Sequence, residues 1–260
     1  MSAEVKVRTE SVGDIQENVD RSGLWAAAKR VVLSVQTRIS KALERKNIVP
    51  THAIMRDLLT KEMVKEFNRI RKDNPDYKPD LSNAYFIGKD LGGVNLKNTI
   101  AKRTRFDDSD LSGAILDGII LTGGCMDNAV LFESKINDAL MNCVQADGAD
   151  FSGAEMKNVN LDRSRVLGAN FSGADMTEAS LDKTDAESAD FEGAILDRAS
   201  IVETDLRLTN LQGASVKGVD FTRAQTAGAF FRGVKIDKET KLPEDMSDII
   251  EEDDDLGETD

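Results

Sequence analysis

Residues 169–196 read ANFSG ADMTE ASLDK TDAES ADFEG AIL, and the spacing of their apolar letters decides the fold. Phe171, Met176, Leu181, Ala186, Phe191 and Leu196 recur every five residues. The beat extends well beyond the stretch. From Leu81 it steps through Phe86, Leu91, Leu96, Ala101 and Phe106, and it runs without a slip to Phe231 and Ile236; Thr226 is the single polar member. Two residues before each of these sits a second series from Ala84 to Val234, nearly all Ala, Ser, Thr, Val or Gly, with Lys89 and Ile119 as exceptions.

A period of five fits neither a helix (3.6) nor a plain strand (2). The chain must therefore turn a corner after every very short extended segment. Residues two apart in such a segment point the same way, so the small and large series both face inward while the residue between them faces out. A longer period closes the figure. Phe151, Phe171 and Phe191 are 20 apart, as are Gly153, Gly173 and Gly193, so four fives make one square coil and equivalent residues stack. The glycines at 93, 113, 153, 173, 193, 213 and 233 fall two after the large residue on one side, where a type II corner needs positive φ. Eight coils at about 4.8 Å each predict a column roughly 38 Å long.

The intact units ADFSG, ANFSG and ADFEG resemble the A(D/N)(L/F)xG repeat of the pentapeptide repeat family. That resemblance covers residues 81–236, about three fifths of the chain, and implies a mainly β fold, a right-handed quadrilateral parallel β-helix. The lead-in EFNRIRKDNPDYKPDLSNA is similar to a preamble found before many bacterial arrays of this kind, with Phe67 where tryptophan is more usual.

A solenoid needs caps at its open ends. Upstream, Leu24, Ala28, Val31, Val32, Val35, Ile39, Ala42 and Leu43 form a helical stripe. Ile54, Leu58, Leu59, Met63, Phe67 and Ile70 form a second after Pro50 and Thr51, so residues 21–75 are predicted to be a helical hairpin acting as an N-terminal cap. Residues 1–20 are expected to lack order. The repeat is assigned to residues 80–237, and residues 238–260 to a terminal cap followed by a tail too charged to fold by itself.

Charge is unevenly divided: the net value is −13, residues 21–72 hold 13 Lys/Arg against 4 Asp/Glu, and residues 244–260 hold 10 acids and no base. The tail pairs in principle with the basic helices, and those helices also suit an anionic membrane surface or nucleic acid. No secretion core and no window of roughly 18 apolar residues is present, so a cytoplasmic location is expected.

Chemistry is sparse. There is one histidine, His52, two cysteines without CxxC spacing, no phosphate-binding loop and no nucleophile elbow, so the expectation is no enzyme, no metal and no cofactor. Cys125 and Cys143 lie on neighbouring coils two positions out of register and are expected to be free thiols.

Deviations in the outward letters carry what functional information there is. Ile100, Ile120 and Leu140 hold one outward position on three successive coils, with Ile115 around the neighbouring corner; a stacked aliphatic stripe marks a contact surface for a partner, a second copy or the helical cap. Val130 and Phe132 make a smaller second candidate on the opposite side. Asp90, Asp110, Asp150 and Asp190 form an acidic row, flanked at the preceding corner by Asp107, Asp108, Asp127, Asp147 and Glu187. Stacked charges repel unless compensated, and the family resemblance implies a DNA-mimicking regulator of DNA gyrase or another topoisomerase as one use of such rows. Against this, Arg103, Arg105, Arg163, Arg165, Lys183 and Arg223 line another corner. The preferred reading is a protein-binding or scaffolding module whose β-helix makes no direct contact with DNA. The alternatives are the gyrase regulator and a secreted effector or membrane-associated adaptor.

Overall fold

The computed structural model describes residues 51–243. The expected unordered residues 1–20, the first expected helix of the hairpin and the acidic tail of residues 244–260 lie outside the described residues.

Two short helices come first, α1 (His52–Thr60) and α2 (Val64–Asp73). The single second helix read from the periodicity is thus two. Thr51 caps α1 by accepting the Ile54 N–H at 3.4 Å. The helix ends because Glu62 enters the left-handed region at φ 56°. Glu62 N–H then donates to Leu59 O at 3.0 Å and Met63 N–H to Leu58 O at 2.8 Å, a Schellman closure that buries Met63 beside Leu58. Met55, Leu58, Leu59, Phe67 and Ile70 are buried. Polar side chains tie the pair to the first coil: Arg56 donates to Ser82 O at 2.8 Å, and Asn68 bonds both Gly93 O and Asn95 N–H at 2.8 Å. His52 Nδ1 accepts the Asp80 N–H at 2.8 Å, and its ring stacks on Tyr77. The helices therefore cap the upstream end of the column.

From Asp80 to Ile195 every fifth residue makes a single-residue parallel bridge to the residue 20 further on, as in Asp80 to Ile100 to Ile120 to Leu140, and the series resumes at Asp205. Each bridge residue bonds both ways: Ile100 N–H donates to Pro79 O at 2.9 Å while Ile100 O accepts from Leu81 N–H at 2.7 Å. The result is a four-sided parallel β-helix of about eight coils. Its axis is filled by the large series, with Phe151, Phe171 and Phe191 each at 0% exposure, and by the small series, such as Ala154, Ala174 and Ala194.

The corners differ from expectation in one respect. Positive φ recurs at every corner from Asn83 to Gly233 except Arg223, at non-glycine residues as well as at the glycines. Each corner is the same turn, closed for example by Ala84 N–H to Leu81 O at 3.0 Å. Residues such as Arg163 (φ 58°) and Leu208 (φ 59°) are held there because the corner N–H also donates along the axis, Arg163 to Asp182 O at 2.9 Å. At Gly118 a Cβ would lie 2.5 Å from Asn98 Oδ1, so a side chain there would also have to displace the end of the Asn98 side chain.

One further rung follows residue 237. A one-residue insertion puts Lys241, rather than residue 240, opposite Asp220. Lys241 Nζ lies 2.7 Å from Asp220 Oδ2, and with the Thr222 contacts it holds the Asp220 carboxyl down at about 2. A depressed carboxylate adds stability that is complete above its ordinary range, so this contact weakens only as pH falls from about 4 towards 2.

Buried hydroxyls in the small series are mostly bonded: Thr104, Thr184 and Thr204 donate to Leu81 O, Leu161 O and Leu181 O at 2.6 to 2.8 Å. Thr99 Oγ1 and Ser134 Oγ, in fully buried residues, find no partner among the described residues. An unmade buried hydrogen bond costs about 1 kcal/mol or more. Thr99→Val and Ser134→Ala are each expected to raise the unfolding free energy by about 1 kcal/mol, read as a higher denaturant midpoint with an unchanged slope; Thr104→Val should lower it.

Candidate functional site

The outward face of the column is where chemistry is available. The bridge ladder stacks Ile100, Ile120 and Leu140 directly on one another. Ile100 and Ile120 are half-buried, and Leu140 is 47% exposed. Ile115 belongs to the next face, bridged to Asn95 and Lys135, and is half-buried. Val130 (38% exposed) bridges Asp110 and Asp150 on the face opposite the stripe, with Phe132 (45%) at its following corner.

The acidic row sits on that opposite face, and its oxygens have local partners. Asp90, Asp110, Asp150 and Asp190 each accept the N–H two residues ahead, at 3.3, 2.8, 3.0 and 3.0 Å. This side-chain turn braces the corner, which is a structural reason for Asp or Asn in the repeat letter. The corner carboxylates are bonded along the axis. Asp127 accepts Asp147 N–H at 3.0 Å, and Asp147 accepts Leu167 N–H at 3.2 Å and pairs with Arg165. Glu187 pairs with Arg207 at 2.6 Å, and Asp108 accepts from Asn128 at 3.2 Å. Further ion pairs, Lys135 with Glu155 at 2.9 Å and Arg198 with Glu178 at 2.8 Å, also join neighbouring coils. Many of the column's acids are thus compensated from within.

One cluster was not legible in the sequence. Asp107, Cys125 and Asp127 bring their ligand-type atoms within 4.8 Å of one another, beside a notch of about 330 Å³ that Gly123 and Gly124 open between Arg103 and Cys143. Arg105 bonds both oxygens of Asp107, at 3.0 and 2.9 Å, which lowers the carboxyl's pKa despite burial. Burial and the Asp107 carboxylate push the Cys125 thiol up to about 11, so at neutral pH it is an S–H donor to Asp107. Arg105 thus compensates Asp107, while Asp127 accepts the Asp147 N–H at 3.0 Å. Both cysteines are free thiols, Cys125 buried and Cys143 exposed. Because the thiolate is the nucleophile, thiol labelling near pH 7.5 is expected to modify Cys143 quickly and Cys125 at least ~100-fold more slowly. Any fast equivalent in Cys143→Ser, where Cys125 is the one remaining thiol, would contradict the buried S–H arrangement.

Among the described residues no helix is long and apolar enough to cross a membrane.

A comparison with curated proteins found no match. Among solved structures, the chain is similar to HetL, a pentapeptide repeat protein involved in heterocyst differentiation regulation from the cyanobacterium Nostoc sp. strain PCC 7120. The identity is 18% over 65% of this chain and 93% of that one, with a TM-score of 0.29. It is also similar to full-length QnrB1, a plasmid-mediated fluoroquinolone resistance protein, at 20% identity over 61% and 84% of the two chains and a TM-score of 0.33. A third is Rfr23 from the cyanobacterium Cyanothece 51142, at 21% identity, 61% and 91% coverage and a TM-score of 0.19. The family model for pentapeptide repeats matches in eight copies, over residues 80–118, 139–177, 149–193, 174–213 and 199–237. Together these spans take in more than half of the chain and match the five-residue beat that the bridges display, and so the chain belongs to the pentapeptide repeat family.

Proposed function

We propose that the protein is a non-enzymatic protein-binding module built on a right-handed quadrilateral column, with the face of Ile100, Ile120 and Leu140 as its contact surface. The observation that carries this reading is the stacking of three aliphatic side chains on consecutive coils at an outward position, with Leu140 47% exposed. The same position is Asn160, Ser180, Ser200 and Asp220 on later coils, so the fold does not require an apolar residue there. Contiguous apolar surface is what a partner desolvates.

The test is Ile120→Asp with Leu140→Asp in the full chain. Facing outward, the substitutions should leave the unfolding free energy within about 1 kcal/mol of the parent. Quantitative pulldown from the native cell, beside sedimentation of the pure protein, should show one associated protein, or self-association, lost in the double variant. An unchanged pulldown profile and oligomeric state would remove the stripe as an interface.

The gyrase-regulator reading depends on free carboxylates presented in a row. Here Asp110, Asp150 and Asp190 brace their own turns and Asp147 and Glu187 are paired with arginines, so the field they present is reduced. Inhibition or protection of gyrase supercoiling by the purified protein, abolished by neutralising Asp110, Asp150 and Asp190 to Asn, would favour that reading over the stripe.

A further inference from the structure

The notch beside Cys125 adjoins the aliphatic stripe across a single corner. Cys125 stacks between Arg105 and Gln145 on its face, and Gly123 lies between Arg103 and Cys143 at the corner. Gly123, Gly124 and Cys125 are all short, whereas the coil before carries Arg103 and Arg105 and the coil after carries Gln145. This coil is therefore recessed between its neighbours, which leaves the space of about 330 Å³. On the other side of the corner stands Ile120, stacked between Ile100 and Leu140. The turn that joins stripe to notch runs from Leu121 to Gly124 and is closed by Gly124 N–H to Leu121 O at 2.8 Å. The ends of such a turn lie within about 7 Å, so an extended chain laid on the stripe enters the notch about three or four residues later, at about 3.3 Å per residue. Thr122 Oγ1 donates to Asn142 Oδ1 at 2.9 Å, and with Gly123 and Cys143 they leave this corner uncharged on the two coils.

The charged residues that line the notch are both cations, Arg103 and Arg105. Arg105 commits its Nε and Nη2 to Asp107. Arg103 is exposed and has no ion-pair or side-chain hydrogen-bond partner among the described residues. The carboxylates behind Cys125 have donors of their own, Arg105 for Asp107 and the Asp147 N–H for Asp127. One guanidinium without a counter-ion at a recess matches one carboxylate. A polyanion such as a nucleic acid would also meet Asp108, Asp127 and Asp147 around the next corner and be repelled.

We propose that the partner binds as an extended acidic segment, with apolar side chains on Ile100, Ile120 and Leu140 and the carboxylate of one Asp or Glu in the notch on Arg103. This rests on the reading of the stripe as the contact surface, and it adds the chemistry that selects the partner. The stripe supplies desolvated apolar area, while a charge-assisted pair at one end fixes the register of the segment.

The experiment selects binders to the full chain from a random octapeptide library displayed on phage and measures the synthetic winners by fluorescence anisotropy. Selected peptides should carry Asp or Glu about three or four residues from Leu, Ile or Met. Arg103→Glu should weaken them at least ~10-fold, and changing the peptide's acid to Lys should restore binding to that variant. Glutamate already holds the same left-handed conformation at Glu133, Glu178 and Glu203, so the substitution leaves the corner intact. Gly123→Asn fills the recess and should weaken binding similarly; its Cβ would meet Arg103 Cγ at 3.7 Å, an ordinary contact. Peptides that carry no acid, ignore Arg103→Glu and Gly123→Asn, yet lose binding in Ile120→Asp/Leu140→Asp would overturn this proposal and leave the stripe standing. Peptides that need Arg103 but ignore the stripe variant would overturn the joint site. Selection of no peptide would overturn it as well, and the stripe would then be judged by the pulldown and sedimentation alone.

Discussion

Phe171→Ala is expected to lower the unfolding free energy by about 3–5 kcal/mol. Phe171 is fully buried between two like rings, with its centroid 4.9 Å from Phe151 at an interplanar angle of 3° and 5.0 Å from Phe191 at 6°. Truncation removes the apolar transfer term of one ring and both stacking contacts. The cavity it leaves cannot collapse readily, because the coil above and the coil below are fixed by the axial ladder, Phe151 N–H to Asn170 O and Phe171 N–H to Asp190 O, each at 2.7 Å. Phe171→Leu keeps most of the volume and should cost about 1–1.5 kcal/mol. Equilibrium denaturation gives the sizes, and hydrogen exchange should place the weakening at residues 151–191 first, since each coil in a solenoid touches only its neighbours. An alanine variant within about 1 kcal/mol of the parent would mean that the ring stack is not close-packed.

That stack was legible in the sequence because the fold's two periods are written in it. Five residues give a side and 20 give a coil, so Phe151, Phe171 and Phe191 had to lie in one ladder, and the bridges place them there. The outward stripe was legible for the same reason, since Ile100, Ile120 and Leu140 are also 20 apart. The features that could not be read depend on backbone conformation or on proximity around a corner. Glu62 ends α1 in a left-handed conformation that a glycine would have announced and a glutamate does not. Arg163 and Lys183, on the opposite corner of the column, hold the same left-handed conformation as Gly153 and Gly173, because the axial hydrogen bond fixes the turn whatever the side chain.

Two further features hid for simpler reasons. A one-residue insertion broke the count after Ile236 and concealed the rung at Lys241. Asp107 and Cys125 are 18 residues apart, one on a corner and one on a face, and only the stacking of coils brings Cys125 Sγ within 2.7 Å of Asp107 Oδ1. The acidic row was visible as a row, but its work was not. The bond from each Asp to the N–H two residues on is a property of the turn, and it turns an apparent signal for a basic partner into a device that shapes the corner.

At the other end of the column, Arg71→Ala is expected to cost about 3–4 kcal/mol and to detach the helical cap. Arg71 is 6% exposed on α2, and its guanidinium donates to two backbone carbonyls, Tyr77 O in the lead-in and Lys97 O in the first coil. Burial lowers its pKa from the ordinary arginine value, yet the group stays charged at any working pH, so these bonds are charge-assisted. Alanine would leave both carbonyls without their donor in a place where water has poor access, and the apolar contacts of Phe67 and Ile70 would have to hold the cap with the bonds of Arg56, Asn68 and His52. Arg71→Lys tests whether charge or shape matters. An ammonium is a single point and cannot span two carbonyls as the planar fork does, so lysine should recover less than half of the loss. The loosening should be confined to the first coil, where Ser82 O, Gly93 O and Asn95 N–H bond to Arg56 and Asn68 of the helices, and should leave exchange at Phe171 unchanged. Loss of protection spread evenly along the column would instead mean that cap and coils unfold as one cooperative unit, and that Arg71 stabilises the whole solenoid rather than its first rung.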